Sequence, residues 1–506
     1  MDAFLTARLA LAAALVGVFW LVHVVGLIIY NVFLHPLRDL PGPRLASVTR
    51  IPMVIRKYQG DMQQWLMKLH EQYGEVVRLA PNEVSYINAP AWKDIYGFHT
   101  GNKPNFPKDA SFYGPDASGG NAGLFRADDT SHARQRRILS HAFSERALLQ
   151  QEPTFRRYVN LLITGIRQLV ASDPNTKVDI ERWYNYTTFD VMADLSFGEP
   201  LNLLVDHSQE WFLKAVFSFL KLQSMSQILR YYPGIARLLR PLFIPKSIIA
   251  KQARNNQECI AKVNRRLERG SGEADIWGLV MKQEGDKAMS LREMHANGIT
   301  FMVAGTETTA TALSGLTYLL LQNPDKMEKL AKEIRSAFKT EDEITISALA
   351  RLEYLNACFE EGLRLYPPVP LGPPRVVPQT SAVVCGKVLP PGTSCYVSNY
   401  AAYHSERNFT DASKFVPERW LNDSRYADDN KSVLQPFSFG PRNCLGKNLA
   451  YHEMRMILGN FLWNFDLQIC EESQNWMKQK VYVVWEKPPL IVRVKDVRPD
   501  RPGQQL

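Results

Sequence analysis

The chain has 506 residues, of which 45% are hydrophobic and 22% are charged, so it can bury a sizeable core and is not an intrinsically disordered protein. Its net charge of +9 is spread along the chain without the dense basic blocks of nucleic-acid-binding arms, which argues against a nucleic-acid partner. The six cysteines include no C-x-x-C pair, which argues against a zinc site or a thioredoxin-type motif.

An apolar run opens the chain. Leu9 to Tyr30 are interrupted only by His23, and this length is sufficient to cross a ~30 Å hydrocarbon core. A cleaved signal peptide is the alternative, but it would need a shorter apolar region and a small-residue cleavage site. Basic residues are more frequent after the run than before it. We therefore expect one membrane anchor over residues 1–35 and a main body over 36–506 that faces the cytosol.

The rest of the chain predicts mostly helices with short, scattered strands. A proline-rich segment from Pro36 to Pro43 separates the anchor from the body. Apolar periodicity and capping residues predict helices over 130–150, 179–198 and 291–322, and another that starts at Asn323-Pro324. Short β-like runs cover 75–79, 83–87, 381–384, 395–397 and 491–494. We expect a mainly α fold with small β-sheets.

The most specific motif lies near the end of the chain, where Phe437, Gly440, Arg442, Cys444 and Gly446 precede a helical pattern. This arrangement delivers a cysteine to the start of a helix, where free backbone N–H groups and the helix dipole lower a thiol pKa and favour the thiolate. The two glycines permit a close backbone approach, and the phenylalanine can shield the sulfur from water. A buried, inert cysteine is the alternative for a lone cysteine.

The complete pattern F-x-x-G-x-R-x-C-x-G resembles the haem-binding signature of the cytochrome P450 family. The resemblance implies the cytochrome P450 fold behind one N-terminal transmembrane helix, and haem b as the cofactor. It also implies that Cys444 is the axial ligand of the haem iron, with Phe437, Gly440, Arg442 and Gly446 around the cofactor. Such thiolate ligation promotes cleavage of the O–O bond.

A second match is A-G-T-E-T-T at 304–309, in the middle of the long predicted helix. A charged residue flanked by apolar turns is costly unless it has a partner or a task. Glu307 and Thr308 match the family's acid–alcohol pair, which implies catalytic roles in relaying protons to dioxygen. Gly305 is then expected to make room for dioxygen. A helix with Ser/Thr hydroxyls bonded back to its own carbonyls is the alternative.

Glu361 and Arg364 are three residues apart on a predicted helix, where opposite charges meet. With Arg419 they resemble the family's E-x-x-R pair and its partner arginine, which implies a structural role on the Cys444 side of the haem. A surface pair of little energetic value is the alternative.

Further basic residues match the positions at which the family binds the haem propionates. Arg136, Arg375 and Arg442 are the matching arginines, and a planar guanidinium suits a carboxylate. His132 stands where the family usually has tryptophan, and an imidazole can likewise donate to a carboxylate. A solvated surface charge is the alternative for each arginine.

The resemblance also implies the reaction and its participants. We expect insertion of one oxygen atom from O2 into a lipophilic small molecule, a natural-product intermediate such as a terpenoid, polyketide or alkaloid. Electrons would come from NADPH through a membrane-bound reductase, with Arg134, Arg137 and Lys447 on the docking face. The sequences of several motifs are similar to those of microsomal members from filamentous fungi, which implies that the protein resides in the endoplasmic reticulum membrane. The expected substrate contacts are Phe112, Phe125, Val303, Val369, Leu371 and Trp485.

Three other functions stay open from the sequence. The first is a reductase-independent thiolate-haem isomerase or dehydratase, although such relatives tend to lose the acid–alcohol pair that is present here. The second is a non-catalytic haem carrier or sensor. The third is a membrane scaffold without a cofactor. A separate structural alternative concerns segment 231–245, which reads either as a second membrane contact or as a packed connection.

Overall fold

The structure is a computed structural model that describes residues 2–98, 104–114, 122–207, 209–272, 275–283 and 288–498. Helices dominate it. In chain order they are α1 (Asp2–Ile29), α2 (Arg44–Val48), α3 (Ile51–Gln59), α4 (Met62–Tyr73), α5 (Pro90–Tyr96), α6 (Ala110–Tyr113), α7 (Asp129–Ser140), α8 (Glu145–Leu149), α9 (Glu152–Ser172), α10 (Ile180–Phe197), α11 (Glu210–Tyr231), α12 (Pro233–Phe243), α13 (Lys246–Glu268), α14 (Ile276–Met281), α15 (Leu291–Leu321), α16 (Pro324–Ala337), α17 (Ile346–Leu349), α18 (Glu353–Leu365), α19 (Asn399–Tyr403) and α20 (Lys447–Asn464).

Eleven short strands occur in the described ranges. They are β1 (Val76–Ala80), β2 (Glu83–Tyr86), β3 (Lys177–Asp179), β4 (Arg375–Val376), β5 (Ala382–Val384), β6 (Lys387–Leu389), β7 (Ser394–Val397), β8 (Phe465–Ile469), β9 (Lys480–Val481), β10 (Trp485–Glu486) and β11 (Ile491–Asp496). The largest sheet has the order β1-β2-β7-β4, in which β2 and β7 are parallel. The other sheets are β3-β11-β8, β5-β6 and β9-β10. The expected mainly α fold with small sheets is confirmed.

Several other helices pack around the long helix α15. Ser290 and Glu293 form a capping box at its start, which fixes where the helix begins. Most of its second half is buried, and α10, α13, α18 and α20 pack against it. One hydrophobic core surrounds this helix, and a second lies between the four-stranded sheet and α4, α5 and α19.

The N-terminal helix α1 stands outside both cores. One stretch, Phe4–Leu34, is long and apolar enough to cross a membrane, and none of its most apolar window is buried against the body. A signal sequence would share these two properties. The helical segment ends at Leu34, just before Pro36, and the next helix starts only at Arg44. This break agrees with the proline-rich separator expected from the sequence.

Two expectations from the sequence need correction: the extent of one helix and the role of Gly305. The helix predicted over 130–150 is two helices, because the chain turns at residues 141–144 and the Ser144 hydroxyl caps α8 by accepting from the Ala147 N–H. Gly305 does not face open space for dioxygen. A Cβ there would lie 2.7 Å from the Met192 sulfur, so this glycine lets α10 approach α15.

Candidate active site

The Cys444 loop is shaped by glycine and by backbone hydrogen bonds. Gly440 has a φ of +73°, and a Cβ at this position would lie 1.9 Å from the Tyr96 carbonyl oxygen, so only glycine fits. The Cys444 N–H donates to the Phe437 carbonyl at 2.8 Å. Gly446 is the N-cap of α20, which places the sulfur just before a helix start, as the sequence predicts.

The pKa of Cys444 differs from the expectation of a lowered value. The thiol is accessible, yet it lies deep enough among protein atoms that burial raises its pKa above the ordinary value. The Gly446 N–H and the charges of Arg136 and Lys447 act in the expected downward direction, but burial outweighs them. Binding of a metal ion would deprotonate a coordinating thiol outright.

Cationic side chains converge beside this loop. The charges of Arg375 and Arg442 both act on Lys108, and the charges of Arg442 and Lys108 both act on His132. Lys108 also forms a backbone bridge with Arg375, at the edge of the four-stranded sheet. Burial and the surrounding cations lower the pKa of His132 to about 3 and that of Lys108 to about 6. The cluster carries an excess of positive charge.

This cluster fits an anionic cofactor. Arg442 donates to Asp129 Oδ1 at 2.6 Å and to the Ala127 carbonyl at 2.9 Å, but its Nη1 is buried without an acceptor in the part of the chain described. Arg375 Nε is likewise buried without an acceptor among the described residues. Buried N–H groups without acceptors are costly. The carboxylates of a haem would satisfy both groups and neutralise the excess charge.

Arg136 lies one helical turn after His132 on α7 and also acts on the Cys444 loop. Its two terminal nitrogens donate to the carbonyl and the side-chain oxygen of Asn443, at 2.6 and 2.7 Å. It therefore holds the residue that precedes the cysteine, a contact that the sequence did not indicate. Phe437 is partly buried, and its ring packs against the ring of Tyr451 at 5.3 Å between centroids.

Thr308 and Glu307 point in different directions from α15. The Thr308 hydroxyl is accessible and donates to the Ala304 carbonyl at 2.7 Å, and Ala304 is itself exposed. Glu307 is fully buried, and its Oε1 accepts from the Thr311 hydroxyl at 3.1 Å and from Lys487 Nζ. Burial raises the pKa of the Glu307 carboxyl, and Lys487 opposes that rise. The ammonium partner was missed in the sequence.

Glu361, Arg364 and Arg419 come together in a fully buried network, which is the geometry expected of the E-x-x-R motif. Arg364 donates to both Glu361 oxygens at 2.7 and 2.9 Å, and Arg419 Nε donates to Oε1 at 3.1 Å. The Trp420 indole N–H and the Val416 N–H complete the carboxylate shell at 2.9 and 2.8 Å. All three charged side chains are 0% exposed.

The expected substrate contacts fall into two groups. Phe125 is 49% exposed, and Phe112, Val303, Val369 and Leu371 keep part of their surface accessible. Trp485 is 4% exposed, because it stacks on Tyr366 at 4.6 Å and donates to the Pro367 carbonyl. The structure thus places Trp485 in an aromatic cluster, with little surface left for a ligand.

The basic residues expected on the docking face also divide. Arg134 forms an ion pair with Glu293 and donates to the Ala288 carbonyl, so its charge is neutralised within the fold. Arg137 and Lys447 are exposed.

In segment 231–245, α12 carries Leu238 with 78% of its surface exposed, whereas Ile244 is buried. Both alternatives for that segment therefore keep support.

Comparisons with known proteins show the family to which the chain belongs. The Cytochrome P450 family model matches residues 40–494. Cytochrome P450 monooxygenase efuB of Hormonema carpetanum is 45% identical over 471 residues, which cover 92% of this chain and 93% of that protein. Cytochrome P450 monooxygenase FUM2 of Gibberella moniliformis is 43% identical over 471 residues, or 93% of this chain and all of the relative.

A third relative, cytochrome P450 monooxygenase AMT3 of Alternaria alternata, is 43% identical over 468 residues, which cover 92% of this chain and 95% of that protein. Family membership implies a haem cofactor, a small-molecule substrate, dioxygen and a redox partner. The accessible Cys444 sulfur, the buried cations beside it and the extent of these matches lead to one identification. The chain belongs to the cytochrome P450 family and is a monooxygenase of that family.

Proposed function

We propose that this protein is anchored in the endoplasmic reticulum membrane by residues 1–35 and inserts one oxygen atom from dioxygen into a lipophilic natural-product intermediate. The catalytic domain, residues 36–506, faces the cytosol. Electrons come from NADPH through a membrane-bound reductase. The relatives from filamentous fungi and the exposed apolar helix α1 support this assignment.

One observation carries the cofactor assignment. Arg442 shares a loop with the accessible sulfur of Cys444 and has a buried Nη1 without an acceptor among the described residues. A thiolate ligand and an arginine with an unsatisfied N–H donor on one loop suit a metalloporphyrin with carboxylate substituents. In this proposal Cys444 binds the iron of haem b, and Arg136, Arg375 and Arg442, with His132, bind the propionates.

Haem bound in this way supplies the redox chemistry that activates dioxygen. The protein's own residues supply structure and protons. Thr308 holds a hydroxyl at the accessible face of α15, and Glu307, the residue before it, passes protons toward the site. Arg136 holds Asn443 and thereby the cysteine loop. Glu361, Arg364 and Arg419 form the buried ionic frame that keeps this side of the domain folded.

The substrate class follows from the accessible side chains near the site. Phe112, Phe125, Val303, Val369 and Leu371 present an apolar and partly aromatic surface, which suits a lipophilic small molecule. We keep Trp485 as a weaker candidate contact because of its burial. Oxidations open to such a site include hydroxylation, epoxidation and related steps.

Turnover in membranes tests the proposal. Membranes that contain the protein and its reductase are incubated with NADPH and candidate terpenoids, polyketides or alkaloids, and the products are identified by mass spectrometry. We expect a product that gains one oxygen atom and depends on NADPH. A rearranged or dehydrated product that forms without NADPH would instead support the reductase-independent isomerase or dehydratase, for which the preserved Glu307-Thr308 pair gives no support. A haem-loaded protein that yields no product from any candidate in either condition would favour the non-catalytic alternative.

A further inference from the structure

A buried cluster of three charged side chains lies behind the acid–alcohol pair. Lys487 Nζ contacts Glu307 Oε1 and lies 3.7 Å from Glu181 Oε1. The side chains of Lys487, Glu307 and Glu181 are 2%, 1% and 13% exposed. Two carboxylates and one ammonium group therefore share an interior site whose net charge is negative when both acids are ionised. Such a site is costly unless one carboxyl holds a proton.

Three separate parts of the fold build this cluster. Glu181 lies in the first turn of α10, Glu307 lies in the middle of α15, and Lys487 follows β10 on the loop before β11. The loop is fixed on both sides of the lysine. The Trp485 indole donates to the Pro367 carbonyl and the Trp476 indole donates to the Pro488 carbonyl, each at 2.8 Å. Lys487 is thus held in place before any substrate binds.

The cluster extends from the neighbourhood of the surface to the catalytic helix. Arg182 and Glu486, the chain neighbours of Glu181 and Lys487, have side chains that are 51% and 48% exposed. At the inner end, Glu307 Oε2 is buried without a hydrogen-bond partner among the described residues. Thr308, the next residue, carries the accessible hydroxyl. The contacts therefore run from Glu181 through Lys487 to Glu307, and Thr308 is the next residue in the chain.

We propose that Glu181 and Lys487 are the outer members of the route that supplies protons to Glu307 and Thr308. This inference rests on the proposed monooxygenase function, and it names residues outside the acid–alcohol pair. Glu181 and Lys487 touch neither substrate nor cofactor in this account. They act through Glu307, and are therefore positioning and proton-supplying residues.

The transfer balances in protons and charge. The cluster starts with Glu181 as the carboxylic acid, Lys487 as the ammonium ion and Glu307 as the carboxylate. Lys487 gives a proton to Glu307 and takes one from Glu181. The result is a neutral Glu307, an ammonium Lys487 and an ionised Glu181, which takes its next proton from water. No oxidant or reductant takes part in these transfers.

The acidity of Glu181 suits this task. Burial raises the pKa of its carboxyl to about 7, Lys487 opposes that rise, and Glu307 and Asp179 add to it. Asn185 donates to Glu181 Oε1 at 2.5 Å, and the charges of both carboxylates act on the hydroxyl of Tyr366, the residue just after α18. A carboxyl with a pKa near neutrality can both hold and release a proton at working pH. We therefore expect Glu181 to be mostly protonated below about pH 7 and mostly ionised above it.

Infrared titration of the haem-loaded ferric protein tests the cluster without any turnover. We expect the carbonyl band of a buried carboxylic acid that is lost as the pH rises through about 7. The band should be missing in Glu181→Gln and should persist to higher pH in Lys487→Met, because the neighbouring ammonium is gone. Lys487→Arg should restore the original titration. Glu486→Gln, one residue away and at the surface, is the matched control and should change nothing.

A band that is unchanged in Glu181→Gln would overturn the inference, as would a Lys487→Met titration identical to that of the unaltered protein. If Lys487→Met does not fold, Glu181→Gln still decides the question, since glutamine is nearly the same size as glutamate. Lys487→Arg keeps the positive charge and therefore tests whether that charge sets the titration.

Oxygen consumption with NADPH and reductase provides the second readout and needs no identified substrate. We expect Glu181→Gln and Lys487→Met to consume oxygen roughly tenfold more slowly, with a larger solvent deuterium isotope effect than the unaltered protein. The unaltered protein should slow as the pH rises through about 7, and Glu181→Gln should lose that step. A normal rate and a normal pH profile in Glu181→Gln would overturn this inference and leave the proposed function intact. No NADPH-dependent consumption by any form would instead refute the proposed function.

Discussion

Glu361 and Arg364 form a two-point ion pair, with N–O distances of 2.7 and 2.9 Å and both side chains fully buried. Arg364 also donates to the carbonyls of Tyr403, Ala412 and Lys414. The pair thus ties α18 to the segment around Ala412. Removal of Glu361 would leave the Arg364 charge buried without its carboxylate partner.

Glu361→Ala should lower the free energy of unfolding by about 3–5 kcal/mol, because the Arg364 and Arg419 charges would lose their shared carboxylate. We expect little haem-loaded protein, measured as the ratio of Soret to protein absorbance and by chemical denaturation. Glu486→Ala removes an exposed carboxylate that pairs with Lys221 and is the control. Normal haem content and stability in Glu361→Ala would refute the structural role.

Thr308→Ala should uncouple electron use from product formation, because the accessible hydroxyl beside Glu307 is lost. The measurement is the ratio of product to NADPH consumed, with released hydrogen peroxide as the complement. Thr300→Ala is a matched control, since the Thr300 hydroxyl also donates to a carbonyl four residues earlier on α15. Equal coupling in the two variants would contradict a proton-relay role for Thr308.

The pH dependence of stability should reveal the cationic cluster. In the cofactor-free protein, burial and nearby cations lower the pKa of Lys108 to about 6. Below the ordinary lysine pKa of about 10.4, the unfolded chain binds a proton that folded Lys108 releases, so stability falls as the pH falls toward 6.

Lys108→Met should therefore make the cofactor-free protein more stable at neutral pH and flatten this dependence, measured by denaturation at several pH values. The same variant should retain haem less firmly, because a cation near the propionates is missing. A steeper pH dependence, or tighter haem retention, would contradict the assignment of Lys108 to the cofactor site.

Deletion of residues 1–35 should release the protein from membranes. From Phe4 onward the side chains of α1 are exposed apart from Val24, most of them are apolar, and none of the most apolar window packs on the body. The full chain should resist alkaline carbonate extraction and keep its original N-terminus, whereas the shortened chain should be extracted. If the protein expressed from the full-length sequence loses its first helix by cleavage, that helix is a signal peptide and not an anchor.

Local sequence patterns predicted the long elements well. The long helix expected over 291–322 is α15 (Leu291–Leu321), since Ser290 and Asn323-Pro324 mark its two ends locally. The break between α7 and α8 was missed, because the turn at 141–144 contains no glycine or proline. Within the site, residues 437–446 could be singled out because they form one continuous motif, whose residue types and spacing are visible in the sequence.

Residues that meet only through the fold could not be predicted in the same way. Lys487 lies 180 positions after Glu307, and no local pattern links the two. The only hint was a lysine among apolar residues and prolines, a costly position without a buried partner. Lys108 was missed for a similar reason, since its proximity to Arg375 depends on an isolated bridge at a sheet edge.

The most direct test of the account is the absorption spectrum of the carbon-monoxide-bound ferrous form in the unaltered protein and in Cys444→Ser. A thiolate ligand shifts the Soret band to an unusually long wavelength, and a hydroxyl ligand does not. We predict the shifted band in the unaltered protein and its complete loss in Cys444→Ser, with Cys470→Ser unchanged as the control. A colourless protein, or a shifted band that survives in Cys444→Ser, would contradict the assignment of Cys444 as the haem ligand.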